Sequence, residues 1–180
     1  MLANILIQIR LAVGNICYDS DCIPQNYSKS LKPLPFVKVL MTFEEIQVLE
    51  VDDSKSIIEM QLNLQYEWYE PRIIIPPNVS TKWIRLEKIF KDLLWWPDFF
   101  LHEHQKLESK YLIGGGSTEA LWLGTDDNIL FLESVFKTFI TCKMRFETYP
   151  FDSHKCYLRV SSWSYNDASL YIETKYVPKL

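Results

Sequence analysis

The chain lacks any run of eighteen or more apolar residues, so none of its segments reads as a membrane-crossing helix. It also lacks basic blocks. Its 19 Lys and Arg against 23 Asp and Glu leave a net charge of -4, which argues against nucleic acid as a partner. Gly-x-Ser-x-Gly is absent, and Gly114-Gly115-Gly116 has neither a Lys-Ser/Thr sequel nor a flanking strand and helix. Nucleophile-elbow and phosphate-cradle chemistry therefore have no support. Cysteine is scarce: four residues fall as two close pairs, Cys17 with Cys22 and Cys142 with Cys156. Neither pair has zinc-ligand spacing backed by a second pair nearby, and Cys142 and Cys156 suit a disulfide better than thiolates. His102-Glu103-His104 puts two imidazoles on one side of a strand, but no further ligand set is evident. No cofactor, no metal and no enzymatic activity is expected.

What is present is apolar and aromatic. At 180 residues, 48% hydrophobic, the chain can bury a core as one domain, and its 14% aromatic content supplies recognition as well as packing. Leu2, Ile5, Leu6, Ile9, Val13 and Ile16 fall at helical spacing, which predicts an amphipathic N-terminal helix rather than a signal peptide. Ala12-Val13-Gly14 nevertheless has the small residues of a cleavage site. Residues 1–30 are thus set apart as a helix and the Cys17/Cys22 segment, ahead of a main unit over 31–180. Two glycosylation sequons begin at Asn26 and Asn78, both in turn-rich stretches. With paired cysteines they favour an oxidising, extracellular setting.

Most of the rest reads as strands. Val37 to Val51 is apolar and β-branched, and Asp52-Asp53-Ser54 breaks it. From Ile57 to Trp68 the chain alternates, with Ile58, Met60, Leu62, Leu64, Tyr66 and Trp68 on the inward face. Glu59, Gln61, Asn63, Gln65 and Glu67 face outward. Leu86 to Leu94 is ambiguous, and Trp95-Trp96-Pro97-Asp98 is a corner. Ala120 to Leu123, the turn at 125–128 and Ile129 to Cys142 form a long-armed hairpin, followed by strands over 157–163 and 169–177. Many short strands with regular turns predict an all-β, immunoglobulin-like antiparallel β-sandwich.

Several motifs then stop being generic. Cys-x13-Cys encloses Tyr-Pro-Phe-Asp and is preceded by Trp-x-Pro-Asp; together these resemble the extracellular domain of the Cys-loop pentameric ligand-gated ion channels. "VKVLMTFEEIQVLEVDD" is similar to the family's first long strand. "YEWYEPR" is similar to its Trp-x-Asp-x-Arg corner, with Glu70 in place of Asp. "LWWPDFF", "LWLGTDDNILF" and "SSWSYND" follow in the family's order, so the resemblance covers about 31–180. The "PDFF" and "LWL…NILF" wording is closer to glycine- and histamine-gated chloride channels, whereas Trp163-Ser164-Tyr165 reads like the cation-selective branch. The branch stays open.

The resemblance implies a ligand enclosed between neighbouring subunits. Trp163, seven residues after Cys156, would be the second-loop aromatic, with Tyr165 on the same face if the strand continues. His102, four residues after Asp98, stands where a first-loop aromatic is usual. Asn63 replaces a complementary-face aromatic, and Phe131 and Glu133 come from the hairpin strand. The implied ligand is a small neurotransmitter-like amine or amino acid, and the implied assembly is a homo- or hetero-pentamer. The loop closed by Cys142 and Cys156 would press on a transmembrane domain, with Pro150 fixing its bend, Tyr149 and Phe151 anchoring it and Asp152 offering a charge.

The family continues with two further strands, a third ligand loop and four membrane helices, so the chain resembles part of a receptor subunit, its C-terminal strands missing. Alternatives are a secreted soluble ligand-binding relative without a pore and a sandwich reused for adhesion. Pairing of Cys17 with Cys22 is open, because so short a step closes only with suitable geometry.

Overall fold

The computed structural model describes residues 22–75, 79–86, 89–109 and 119–177, with the backbone alone for 106–109. The expected helix over 1–17, Cys17, Asn78 and the triple glycine lie outside the described residues. Strands β1 (Val37–Asp52) and β2 (Ile57–Tyr69) form the predicted first hairpin, paired antiparallel from Val39 with Trp68 to Asp52 with Ile57. Ser56, at φ 56°, lets the short turn between them close. After β3 (Trp83–Leu86) and a single helical turn, α1 (Phe90–Leu93), come β4 (Phe100–Leu101) and β5 (His104–Ser109). Strands β6 (Glu119–Gly124) and β7 (Ile129–Thr141) are the long-armed hairpin, and β8 (Val160–Ser161) and β9 (Leu170–Tyr176) follow.

Seven strands make one sheet in the order β3-β6-β7-β2-β1-β9, with β5 also on β7. The far edge of β7 is shared: β6 takes Leu130 to Ser134, and β5 takes Phe136 to Ile140. Two of the expected features differ. Strand β9 runs parallel to β1, so the sheet is mixed rather than wholly antiparallel. The strand expected over 157–163 shrinks to Val160–Ser161, paired with Phe100–Leu101 in a separate two-stranded sheet. The first change follows from the turn Asn166–Ser169, whose carbonyl at Asn166 accepts from the Ser169 and Leu170 amides and redirects the chain onto β1.

The inward face is the one the alternation predicts. Val39, Met41, Leu62, Leu64, Trp68, Leu130, Leu132 and Ile140 are all buried on it. At one end this face is covered by Cys22, Phe90, Leu94 and Trp95, and at the other by Leu158, Val160 and Met144. The register shift between Phe43 and Glu45 makes Glu44 an extra residue, a β-bulge. Its carboxylate accepts from the Asn63 Nδ2 (3.0 Å) and from the Gln65 amide. Asn63, expected on an open polar face, is consequently buried beneath Glu44.

A charged network locks the segment before β1 onto the sandwich. Glu70, fully buried at the end of β2, accepts from Arg72 Nε and Nη2 (2.7 Å each) and from the Tyr27 hydroxyl (3.1 Å). Arg72 Nη1 donates onward to the Ser28 and Leu31 carbonyls. The Tyr27 oxygen in turn accepts from the Trp95 amide at 2.8 Å and from Arg72 Nη2 at 3.0 Å. One hydroxyl thus ties the N-terminal segment, the β2 end and the Trp95 corner together. Burial is the main cause that pushes its pKa up to about 12, against the bond from the Trp95 amide and with the help of the Glu70 charge.

Replacing Glu70 with Ala leaves the half-buried Arg72 guanidinium without its carboxylate and should cost about 1.5–3 kcal/mol in denaturant unfolding. Tyr27→Phe strips the Trp95 amide of its acceptor and should cost about 1–3 kcal/mol. The folded hydroxyl holds its proton to about 12 while an unfolded tyrosine releases it near 10. Its contribution is therefore full below pH 10 and lost as pH rises from 10 to 12. The stability gap between the native chain and Tyr27→Phe should narrow across that window; a gap that stays constant contradicts the assignment.

Candidate functional site

Pro97 is buried at the corner after Trp95 and Trp96, and it delivers Asp98 to the loop that follows β8. Asp98 Oδ1 accepts from the Ser162 hydroxyl at 2.5 Å, and Oδ2 from the Ser164 amide at 2.6 Å. Burial pushes the carboxyl's pKa up, but the bonds from Ser162 and Ser164 outweigh it and hold the group below the usual carboxylate range. These two bonds flank Trp163 and fix the bend in which it stands. The side chain projects outward and is 76% exposed. Its ring meets Phe100, with centroids 5.3 Å apart.

Phe100 is the centre of a small aromatic group. His102 and His104 both meet it edge-on, at 5.1 and 5.6 Å. His102 is exposed, and its Nε2 lies 2.8 Å from the Ser161 hydroxyl, which joins the β4 and β8 ends. Trp163 and His102, predicted from two distant stretches, are therefore brought together across the β4–β8 pair. Phe100 was not among the predicted residues, although it stands two positions before His102, the spacing that puts strand residues on one side. His104 points its Nδ1 at the Leu101 carbonyl (2.5 Å), and Glu103 is taken by Arg159, at 2.5 Å from Nε and 2.8 Å from the amide. Among the described residues no three metal-ligating side chains converge.

Tyr165 does not join this group. The strand stops at Ser161, the chain bends at Trp163, and Tyr165 turns inward against Trp95, whose Nε1 lies 3.4 Å from its hydroxyl. The Lys32 ammonium sits over the ring at 5.4 Å. The expectation that Tyr165 shares a face with Trp163 fails because it required a continuous strand.

The second predicted group lies on the outward face of the large sheet. Asn63, Phe131 and Glu133 share it by alternation, Glu133 being opposite Gln65 and Phe131 opposite Glu67. Phe131 packs on Trp83 at 6.0 Å and lies in register with Trp122. Trp122 carries the Arg85 guanidinium 5.8 Å from its ring, an aromatic contact that sequence reasoning missed. Asn63 is only 8% exposed, and its Oδ1 is buried without a hydrogen-bond partner. Within one chain, the β4–β8 layer covers the inward face while these residues occupy the outward one. The two groups cannot enclose one ligand together.

The loop after β7 is closed as expected by a disulfide between Cys142 and Cys156. Closing a loop of this length removes about 3 kcal/mol of unfolded-chain entropy on the chain-entropy model. Cys22 is also disulfide-bonded and buried. The anchoring of the loop differs from expectation. Cys142 and Met144 hold it to the core, whereas Tyr149 and Phe151 are 78% and 90% exposed on the turn at 148–151, which projects away from the sheet. Asp152 is not a free charge: its Oδ2 lies 2.7 Å from His154 Nε2. The Tyr149–Pro150 bond at the tip is cis. Asn26, the described sequon residue, is exposed beside a turn closed by the Tyr27 amide on the Pro24 carbonyl.

A family model described as "Neurotransmitter-gated ion-channel ligand binding domain" matches residues 17–179. Among curated relatives, the gamma-aminobutyric acid receptor subunit pi of Rattus norvegicus is 24% identical over 143 residues, covering 78% of this chain and 31% of the relative. The pH-sensitive chloride channel 2 of Anopheles gambiae is 28% identical, covering 69% and 20%. The acetylcholine receptor subunit alpha-type deg-3 of Caenorhabditis elegans is 25% identical, covering 82% and 27%. The chain thus spans less than a third of the length of these relatives.

Asp98→Ala should free the bend that presents Trp163. Loss of a hydrogen bond to a charged group, worth about 1.5–3 kcal/mol, should speed hydrogen exchange at the Ser164 amide by about 10- to 150-fold. Unchanged exchange would show that the bend holds itself. The same amide should lose protection in the native chain as pH falls through the depressed Asp98 pKa, because the ionised carboxylate is the form that bonds it.

Proposed function

Since this chain belongs to the neurotransmitter-gated ion-channel ligand-binding domain family, we propose that it is the extracellular neurotransmitter-binding domain of a ligand-gated channel subunit. One observation carries the reading. Two aromatic, partly exposed groups, Trp163–Phe100–His102 and Phe131–Trp83–Trp122, lie on opposite faces of one domain. Each offers half of a pocket that a neighbouring copy or a related subunit completes, in a ring of five. Trp163 presents its ring face to the ligand, and a cationic amine there gains about 0.5–2 kcal/mol by cation–π attraction. Tyr165 supports the site from behind, by holding Trp95 at the corner that carries Asp98.

The ligand class is a small amine or amino acid. On the complementary side, Glu133 supplies a carboxylate beside Phe131, and Asn63 stays under Glu44 unless the bulge shifts. The loop between Cys142 and Cys156 meets the membrane domain of the full receptor and transmits ligand-driven movement to its pore. The exposed Tyr149 and Phe151 support this, because apolar rings so open to solvent mark a contact surface. The setting is the extracellular face of the plasma membrane, with Asn26 and Asn78 as glycan acceptors.

A panel of biogenic amines and amino acids, titrated calorimetrically against the assembled domain, tests the pocket. Trp163→Ala should weaken the best ligand by about 2- to 30-fold, the range that cation–π attraction allows. Phe131→Ala should weaken it as well, and mixing the two variants should restore a fraction of intact sites. If no amine or amino acid binds, or Trp163→Ala binds as tightly as the native chain, the pocket assignment is wrong.

A further inference from the structure

Apart from the exposed aromatic group, a partly enclosed cavity of 540 Å³ lies between the large sheet and the segment from Pro97 to Leu101. This volume falls within the range that small-molecule sites occupy, about 300–1,000 Å³. Most of its wall is apolar: Met41 and Leu64 rise from the sheet, Phe136 flanks them, and Phe99 and Phe100 close it from above. Four polar side chains interrupt that wall, Tyr66, Ser134, His104 and Glu119.

These polar groups differ in what they have left to offer. Glu119 is held by the Lys91 ammonium, and His104 Nδ1 is taken by the Leu101 carbonyl. Because a carbonyl only accepts, it is Nδ1–H that donates in this contact. Tyr66 packs edge-on against Phe99 at 4.9 Å, and Tyr66 and Ser134 both line the cavity. Ser134 is 7% exposed. The two belong to adjacent strands on the inward face, since Ser134 is opposite Leu64, two residues from Tyr66. Burial, and then the Glu119 charge, push the Tyr66 pKa far above its ordinary value, so its proton is always available for donation. A few polar groups in a mostly apolar wall orient a small molecule bound there, and these two hydroxyls line the same cavity.

We propose that this cavity binds a small uncharged amphiphile, an aromatic or cyclic body bearing one hydroxyl that bonds Tyr66 and Ser134. The charge pattern excludes other classes. A free anion would face Glu119, and a cation would find the one carboxylate already held by Lys91. The site is separate from the proposed interfacial pocket, although Phe100 is a wall of both, its other face meeting Trp163.

Phenol is a suitable probe, followed by saturation-transfer NMR and calorimetry on the 180-residue chain, with toluene as the same ring lacking a hydroxyl. Phenol should bind more tightly than toluene, and Ser134→Ala should reduce that preference by about 2- to 10-fold, the range for one hydrogen bond. Ser134→Leu fills the cavity and should abolish binding of both. If that variant does not fold, as judged by circular dichroism, Leu64→Phe serves the same purpose. Trp163→Ala should leave phenol binding intact. The proposal is overturned if phenol does not bind, which would leave the cavity to water. It is equally overturned if cavity-filling variants bind phenol as the native chain does, or if binding disappears with Trp163 instead. Because no amine is involved, its failure leaves the interfacial pocket untouched, and the reverse holds too.

Discussion

A carboxylate with no exposure to water, Glu70, is the constraint on which the rest of this domain depends. Burying a charge is tolerable only when opposite charge and hydrogen bonds surround it, and Arg72 and Tyr27 supply both. Arg72 then reaches the Ser28 and Leu31 carbonyls, so the segment ahead of β1 is held by the corner after β2. Tyr27 extends the same network to the Trp95 amide, and from there the chain leads through Trp96 and Pro97 to Asp98. The position of Trp163 is set through Asp98. An exposed tryptophan is thus oriented from the Glu70–Arg72 ion pair, through a series of bonds each of which saturates a backbone or side-chain group.

Much of this fold was legible in the sequence because period-2 alternation reports burial directly. The six inward residues of β2, from Ile58 to Trp68, behave as their pattern requires, and the bounds of β1, β2, β7 and β9 fall within a residue or two of expectation. Alternation failed where a local event cut a strand short or inserted a residue. Asn63 is hidden because the bulge at Glu44 places an extra side chain over it, and β-bulges leave no mark on the polar pattern. Tyr165 turns inward because the chain bends after Ser161, a bend set by the Asp98 carboxylate from another part of the sequence.

The candidate site shows the same division. Trp163 and His102 could be chosen from spacing relative to Cys156 and Asp98, but Phe100, which joins them, lies in a run where every residue is apolar or aromatic. Its neighbour Phe99 belongs to the core, and only three dimensions tell the two apart. Tyr149 and Phe151 were expected to anchor their loop, since aromatic residues usually seek burial. Their exposure is possible because the disulfide, Met144 and the Asp152–His154 pair already hold the loop in shape.

Strand β7 has thirteen residues bonded along one edge to β2 and along the other to β6 and then β5. At about 3.3 Å per residue it is a rod some 40 Å long, braced on both sides and unable to buckle without breaking ladder bonds. Phe131 and Glu133 sit near its first end, and Cys142 follows directly on its last. One strand, paired on both edges, thus joins the aromatic end of the sheet to the loop that the disulfide closes. The sheet is in this sense a mount for that loop as well as a wall of the core.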